Sequence, residues 1–125
     1  MVNFLVITSA KTGQLLCYHY YIALHRFDYT NKKIRIGYVL NKNYHRQKIM
    51  QNSMIKLIVK IFAYSTVERI EASVNTENIS SIKLLEKINF VKEGVLRKYS
   101  YNPRTKQIED RIIFSIISAD INKII

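Results

Sequence analysis

The side chains able to do acid–base, nucleophilic or metal chemistry are few in this chain, and they are scattered. His19, His25 and His45 show no H-x-x-x-H or comparable ligand spacing, so no metal site is indicated. Cys17 lies in an apolar run with no evident base beside it, which reads as packing rather than as a nucleophile. The unusual chemistry is positive charge: 20 Lys+Arg against 9 Asp+Glu give a net +11. Such an excess attracts phosphates, on RNA, on DNA or on a phosphorylated cofactor, although a Lys- and Ile-rich composition bias would produce it too. Part of that charge, Arg46 and Lys48, falls where a helical pattern begins. A basic helix start is electrostatically unfavourable unless an anion sits there.

Those residues need elements to hold them, and the patterning supplies them. Val2–Thr8 is β-branched and aromatic, Lys11-Thr12-Gly13-Gln14 is a hairpin turn, and the Tyr-rich run from Leu15 to about Leu24 is the return strand. After a polar connection from Asp28 to Lys33, Ile34, Ile36, Tyr38 and Leu40 alternate with Arg35, Gly37 and Val39 as a further strand. Met50, Met54, Leu57, Ile58 and Ile61 form one apolar helical stripe. Ile70, Ala72 and Val74 alternate with Arg69, Glu71 and Ser73, and Glu71 reads as a carboxylate pairing with Arg69 or Arg111. Asn78 can cap a second helix that shares Ile82, Leu85 and Ile88 on one face. Phe90–Lys98 and Arg111–Ile117 close the pattern as a strand pair around Asn102 and Pro103.

The order β-β-β-α-β-α-β-β predicts a mixed α/β sheet covered by helices on both faces, in one domain over residues 1–125. The strands flanking the long helix should be parallel, joined by a right-handed crossover. Ligands in such sheets favour helix N-termini beside strand ends, which here means Asn41 to Gln51. Hydrophobic residues at 48% and charged residues at 23% suit a globular chain, and 3 Gly with 1 Pro exclude collagen-like and low-complexity classes. No run approaches the ~20 apolar residues of a membrane span, and the start lacks the pattern of a secretion signal. The expected location is the cytoplasm, where a single thiol stays reduced.

Three blocks carry a resemblance. Ile36-Gly37-Tyr38-Val39-Leu40, Tyr44 to Met50, and Arg69-Ile70-Glu71-Ala72 resemble the GNAT superfamily of acyl-CoA-dependent N-acetyltransferases. The block from Asn75 to Phe90 is similar to the N-x-x-S-x-x-x-L-E-K-x-G-F signature of the branch that contains the ribosomal-protein N-terminal acetyltransferases, and Val91 to Arg97 continue the match. The resemblance runs from about Gly13 to Ser118. It implies a mostly antiparallel central sheet, acetyl-CoA as co-substrate without a metal, and an amine acceptor such as a protein N-terminus.

Two departures accompany it. The family's opening strand and helix pair, which wall the acceptor groove, have no counterpart here, so the strand Val2–Thr8 would be an edge open to pairing in a homodimer. The family's pyrophosphate loop is a Gly-rich turn feeding the long helix; Arg46 stands at its opening basic position, but Lys48 and Met50 stand at its two small-residue positions. A positive φ at either would cost about 1–2 kcal/mol.

Carried over residue by residue, the resemblance assigns Tyr38, Val39 and Leu40 to the pantetheine arm, with backbone N–H near Val39 and Leu40 facing the oxyanion. It assigns Arg46, Gln47, Lys48, Ile49, Met50 and Gln51 to the pyrophosphate, and Asn78 to the cofactor as well as to its cap. Ser81 would meet the leaving thiolate, Glu71 would act as base through water, and Tyr99 as acid or substrate wall. The competing reading is a non-catalytic, truncated relative: a basic module that binds RNA, ribosomes or another chain, although no RNA-binding motif is present.

Overall fold

The structure is a computed structural model and describes residues 20–40 and 48–124. The strand expected at Val2–Thr8, its turn and its edge lie outside those residues, as do Cys17, His19, His45, Arg46 and Gln47.

β1 (Tyr20–Asp28) and β2 (Lys33–Leu40) form a hairpin, and α1 (Ile49–Tyr64) follows. Then come β3 (Arg69–Asn75), α2 (Ile79–Lys87), β4 (Val91–Asn102), β5 (Gln107–Ile117) and a short 3-10 helix, Ser118–Lys123. The sheet order is β1-β2-β3-β5-β4. β2 and β3, on either side of α1, run parallel as expected, and every other pairing is antiparallel. The last hairpin is longer than its apolar pattern, with only residues 103–106 left between its strands.

The registers place Ile22, Leu24, Ile34, Ile36, Ile70, Ala72, Val74, Ile112, Phe114 and Ile116 on one face. All are buried, in one cluster with Met50, Met54, Leu57, Ile58 and Ile61 of α1 and Leu85 of α2. The helical stripe therefore lies where its period put it. Helix cover was expected on both faces; among the described residues both helices cover one. The reason is handedness: two right-handed crossovers stepping the same way across a sheet land on the same side. The opposite face carries Lys33, Arg35, Arg69, Glu71, Ser73 and Arg111, and it is polar.

Helix ends are set by local chemistry. Asn78 caps α2, its Oδ1 accepting the Ser81 N–H at 3.2 Å. At the other end Asn89 turns to φ 74, while its N–H reaches the Glu86 carbonyl and that of Phe90 the Leu85 carbonyl, at 3.0 and 2.9 Å. This is a Schellman closure, and asparagine tolerates the left-handed conformation it needs.

Candidate functional site

β2 and β3 are paired only over Lys33↔Arg69, Ile34↔Ile70 and Arg35↔Glu71. β2 continues to Leu40 and β3 to Asn75, but past that rung they part. Along residues 36–40, alternate backbone groups of β2 point away from β1 and toward the gap, with no strand among the described residues to receive them. An extended ligand arm can pair there as a strand would.

Around the gap stand several of the expected residues. Tyr38 is half-buried on the helix side of the sheet, and its hydroxyl hydrogen-bonds the Ser81 hydroxyl at 2.5 Å. Burial pushes the Tyr38 phenol up, against the opposing influence of Ser81 and the Arg111 charge, so it stays protonated at neutral pH. Because Asn78 fixes the Ser81 backbone, the capping residue, the serine and the tyrosine form one connected set from α2 to β2. Val39 is half-exposed, and Leu40 closes the strand.

The start of α1 separates the two departures in the loop. Lys48 is exposed at φ 54 and ψ 13, a left-handed backbone, and it gives no side-chain cap. Met50, in contrast, lies inside the helix and is 2% exposed, part of the core stripe rather than of a ligand surface. A contact of residue 50 with the cofactor would therefore rest on its backbone, in the first turn of α1, while its side chain lies on the buried side. Gln51 is half-buried in the same first turn. No acidic residue occupies that turn, so nothing on it repels an anion.

Glu71 is nearly buried and held by three cations: Arg69 Nε at 2.9 Å, Arg35 Nε at 3.2 Å and Lys33 Nζ at 3.7 Å. Burial pushes its carboxyl up, but the Arg69, Lys33 and Arg35 partners outweigh that and hold it below the ordinary carboxylate range. A carboxylate so stabilised is a poor proton acceptor. Pairing with Arg69 was anticipated; Arg111 instead donates to the Ser73 carbonyl at 2.6 Å. Arg69 also reaches Glu93 at 2.7 Å. Tyr99 lies on β4, yet Arg35 of β2 and Arg26 of β1 pull its phenol down.

His25 carries chemistry that the spacing of the histidines does not reveal. Its imidazole lies over Gly37 of β2, with Nε2 3.5 Å from where a Cβ on that glycine would be. Burial and the Arg26 and Arg35 charges lower its pKa, which leaves the imidazole neutral and able to accept a proton at neutral pH. Its register partner on β2 is Arg35, and the ring reaches diagonally over Gly37 in the open stretch of that strand. Among the described residues no group of three or more metal-ligating side chains occurs, and no helix is long and apolar enough to cross a membrane.

The sequence profile of the acetyltransferase (GNAT) domain matches residues 2–91. The chain belongs to the GNAT acetyltransferase family. The uncharacterized N-acetyltransferase p20 of Bacillus licheniformis is 36% identical over 93 residues, which are 74% of this chain and 51% of that protein. The ribosomal-protein-S5-alanine acetyltransferase of Vibrio fischeri superposes with a TM-score of 0.75 at 28% identity, over 81% of this chain and 55% of the other. The microcin C7 self-immunity acetyltransferase MccE, solved with acetyl-CoA and AMP, gives a TM-score of 0.74 at 25% identity, over 80% and 54%. The GNAT chain described here thus spans about half the length of the relatives it matches.

Proposed function

We propose that this GNAT chain moves an acetyl group from acetyl-CoA to an amine, with the alanine amine of a protein as the first acceptor to try. The observation that carries the reading is the gap between β2 and β3 with Tyr38 and Ser81 joined beside it. Membership in the family and the likeness to a ribosomal-protein-alanine acetyltransferase support it.

The residues fit the co-substrate. The open edge of β2 at residues 36–40 suits a pantetheine arm, and the uncapped, acid-free start of α1 suits its phosphates. Acetyl-CoA, when bound, supplies an activated acyl group as its thioester. In this reading β2 donates backbone N–H groups near Val39 and Leu40 to the developing oxyanion. His25, rather than Glu71, takes the proton that the amine gives up as its bond to carbon forms. Ser81, oriented by Tyr38, offers its hydroxyl to the departing sulfur. Positioning supplies most of the acceleration, so a single modest base suffices.

The test has two parts. Coenzyme A at 100 times its Kd should stabilise the chain by about 2.7 kcal/mol in thermal unfolding. Acetyl-CoA should then release free thiol in the presence of peptides with an N-terminal alanine. No shift at millimolar coenzyme A refutes the site, and a shift without thiol release leaves a basic binding module instead of a transferase.

A further inference from the structure

The polar face holds a second opening. A pocket of about 500 Å³ is lined by Arg26, Tyr29, Lys33, Arg35 and Glu71, among others. Its lining includes both residues of the Arg35↔Glu71 rung, the last before β2 and β3 separate.

Its charges do not cancel. Two carboxylates reach the pocket, and both are committed. Asp28 accepts from the N–H and side-chain amide of Asn31 at 2.9 and 2.8 Å, and Glu71 is surrounded by its three cations. The cations are less occupied. Arg26 meets no carboxylate within ion-pair distance among the described residues, and Arg35 engages Glu71 through Nε. Arg111, close enough for its charge to be felt at Arg35, donates only to Ser73.

Backbone irregularities bring these groups together. β1 changes register between His25 and Asp28, with Arg26 at φ 55, and β4 changes register between Leu96 and Ser100, with Lys98 at φ 47. Bulges of this kind re-aim side chains, and left-handed non-glycine residues persist where the surroundings enforce them. Arg26 lies on the irregular stretch of β1, and the Arg35 and Arg26 charges pull the Tyr99 phenol down although two strands separate β4 from β2. Arg26, on the bulged strand, lines the pocket together with Arg35.

We propose that this pocket binds a carboxylate carried by the acceptor, with the Arg26 and Arg35 guanidiniums that line it as donors. Planar guanidiniums match a carboxylate in geometry and charge. The inference rests on the transfer reading and names its acceptor class: amines with an acidic group close by, such as an acidic peptide N-terminus. A polyamine would meet like charge.

The peptides Ala-Glu-Glu-Gly-Ser and Ala-Gln-Gln-Gly-Ser, equal in size, test it. Calorimetric binding to the full chain, with and without coenzyme A, should favour the Glu peptide about tenfold, the size of one charge-assisted contact. Arg26→Gln should remove most of that preference and leave coenzyme A stabilisation unchanged. Lys60→Gln, which lowers the net charge equally from an exposed position on α1, should leave the preference intact. Equal binding of the two peptides, or a preference that survives Arg26→Gln, overturns the proposal. If the acidic peptide binds and depends on Arg26 while no thiol is released, the pocket stands and the transfer reading falls.

Discussion

Replacing Lys48 by glycine should stabilise this chain, and the size of the gain follows from its backbone. At φ 54 a residue with a Cβ carries about 1–2 kcal/mol of left-handed strain. Glycine removes most of it but gives the unfolded chain more freedom, worth about 0.4–1 kcal/mol in the other direction. Lys48 is exposed and makes no capping bond, so little else is lost. The net gain is about 0.5–1 kcal/mol, a rise of about 2–5 °C in Tm for a domain of this size. Lysine at a helix start is also unfavourable to the dipole, and alanine isolates that contribution because it keeps the Cβ while removing the charge. Asparagine tolerates the left-handed region and can cap the helix. Thermal unfolding of the four proteins should therefore rank asparagine and glycine above alanine, and lysine lowest. Alanine equal to or above glycine would refute the strain argument.

The same variants separate folding from binding. The strain at Lys48 is a property of the folded backbone, so relieving it raises folding stability rather than affinity. Coenzyme A affinity in Lys48→Gly should stay within about threefold of the parent, less than 0.7 kcal/mol. A tenfold gain would mean that the side chain obstructs the loop, and a tenfold loss that its ammonium is a phosphate ligand.

Met50→Ala should lower stability by about 2–5 kcal/mol in urea unfolding, because Met50 is buried at the head of the core stripe. Glu71→Gln should cost about 1–3 kcal/mol at neutral pH, since it weakens bonds to three cations. Glu71 is held below the ordinary carboxylate range, so its contribution is fully present above the usual glutamate value, about 4.3, and is lost as pH falls through the lower folded value. The urea midpoint of the parent should drop across that acid window more steeply than that of Glu71→Gln. If His25 is the base, the acid limb of the pH–rate profile lies below the ordinary imidazole value of about 6.5, and His25→Gln abolishes that limb.

Period and capping made the elements legible. The stripe from Met50 to Ile61, the alternation at Ile70, Ala72 and Val74 and the cap at Asn78 each state a local rule that the fold obeys. Tyr38 and Ser81 were legible as candidate site residues only through a family pattern, since nothing in the sequence says that two hydroxyls 43 positions apart meet. The pocket was not legible at all. Arg26 and Arg35 come to one pocket beside an irregularity of β1 that looks in sequence like ordinary strand. Glycine substitutions divide in the same way. Asn89 in place of a glycine announces a left-handed turn because asparagine accepts one, whereas Lys48 at φ 54 conceals it.

Why the strands part where they do has a physical answer in the charges. Glu71 of β3 is bound from β2 by both Lys33 and Arg35, which ties the two strands side by side at their last shared rung. Beyond it β2 has no further ionic tie to β3, and Tyr38 turns to α2 instead, bonding Ser81. β3 is drawn the other way: Arg111 of β5 donates to its Ser73 carbonyl, and every residue of β3 from Arg69 to Asn75 pairs with β5. The gap is thus the boundary between a strand held by a helix cap and a strand held by its antiparallel neighbour. An ion cluster that looks like surface charge in the sequence sets the hinge of the cleft, and for this reason Glu71 belongs to the site as a positioning residue.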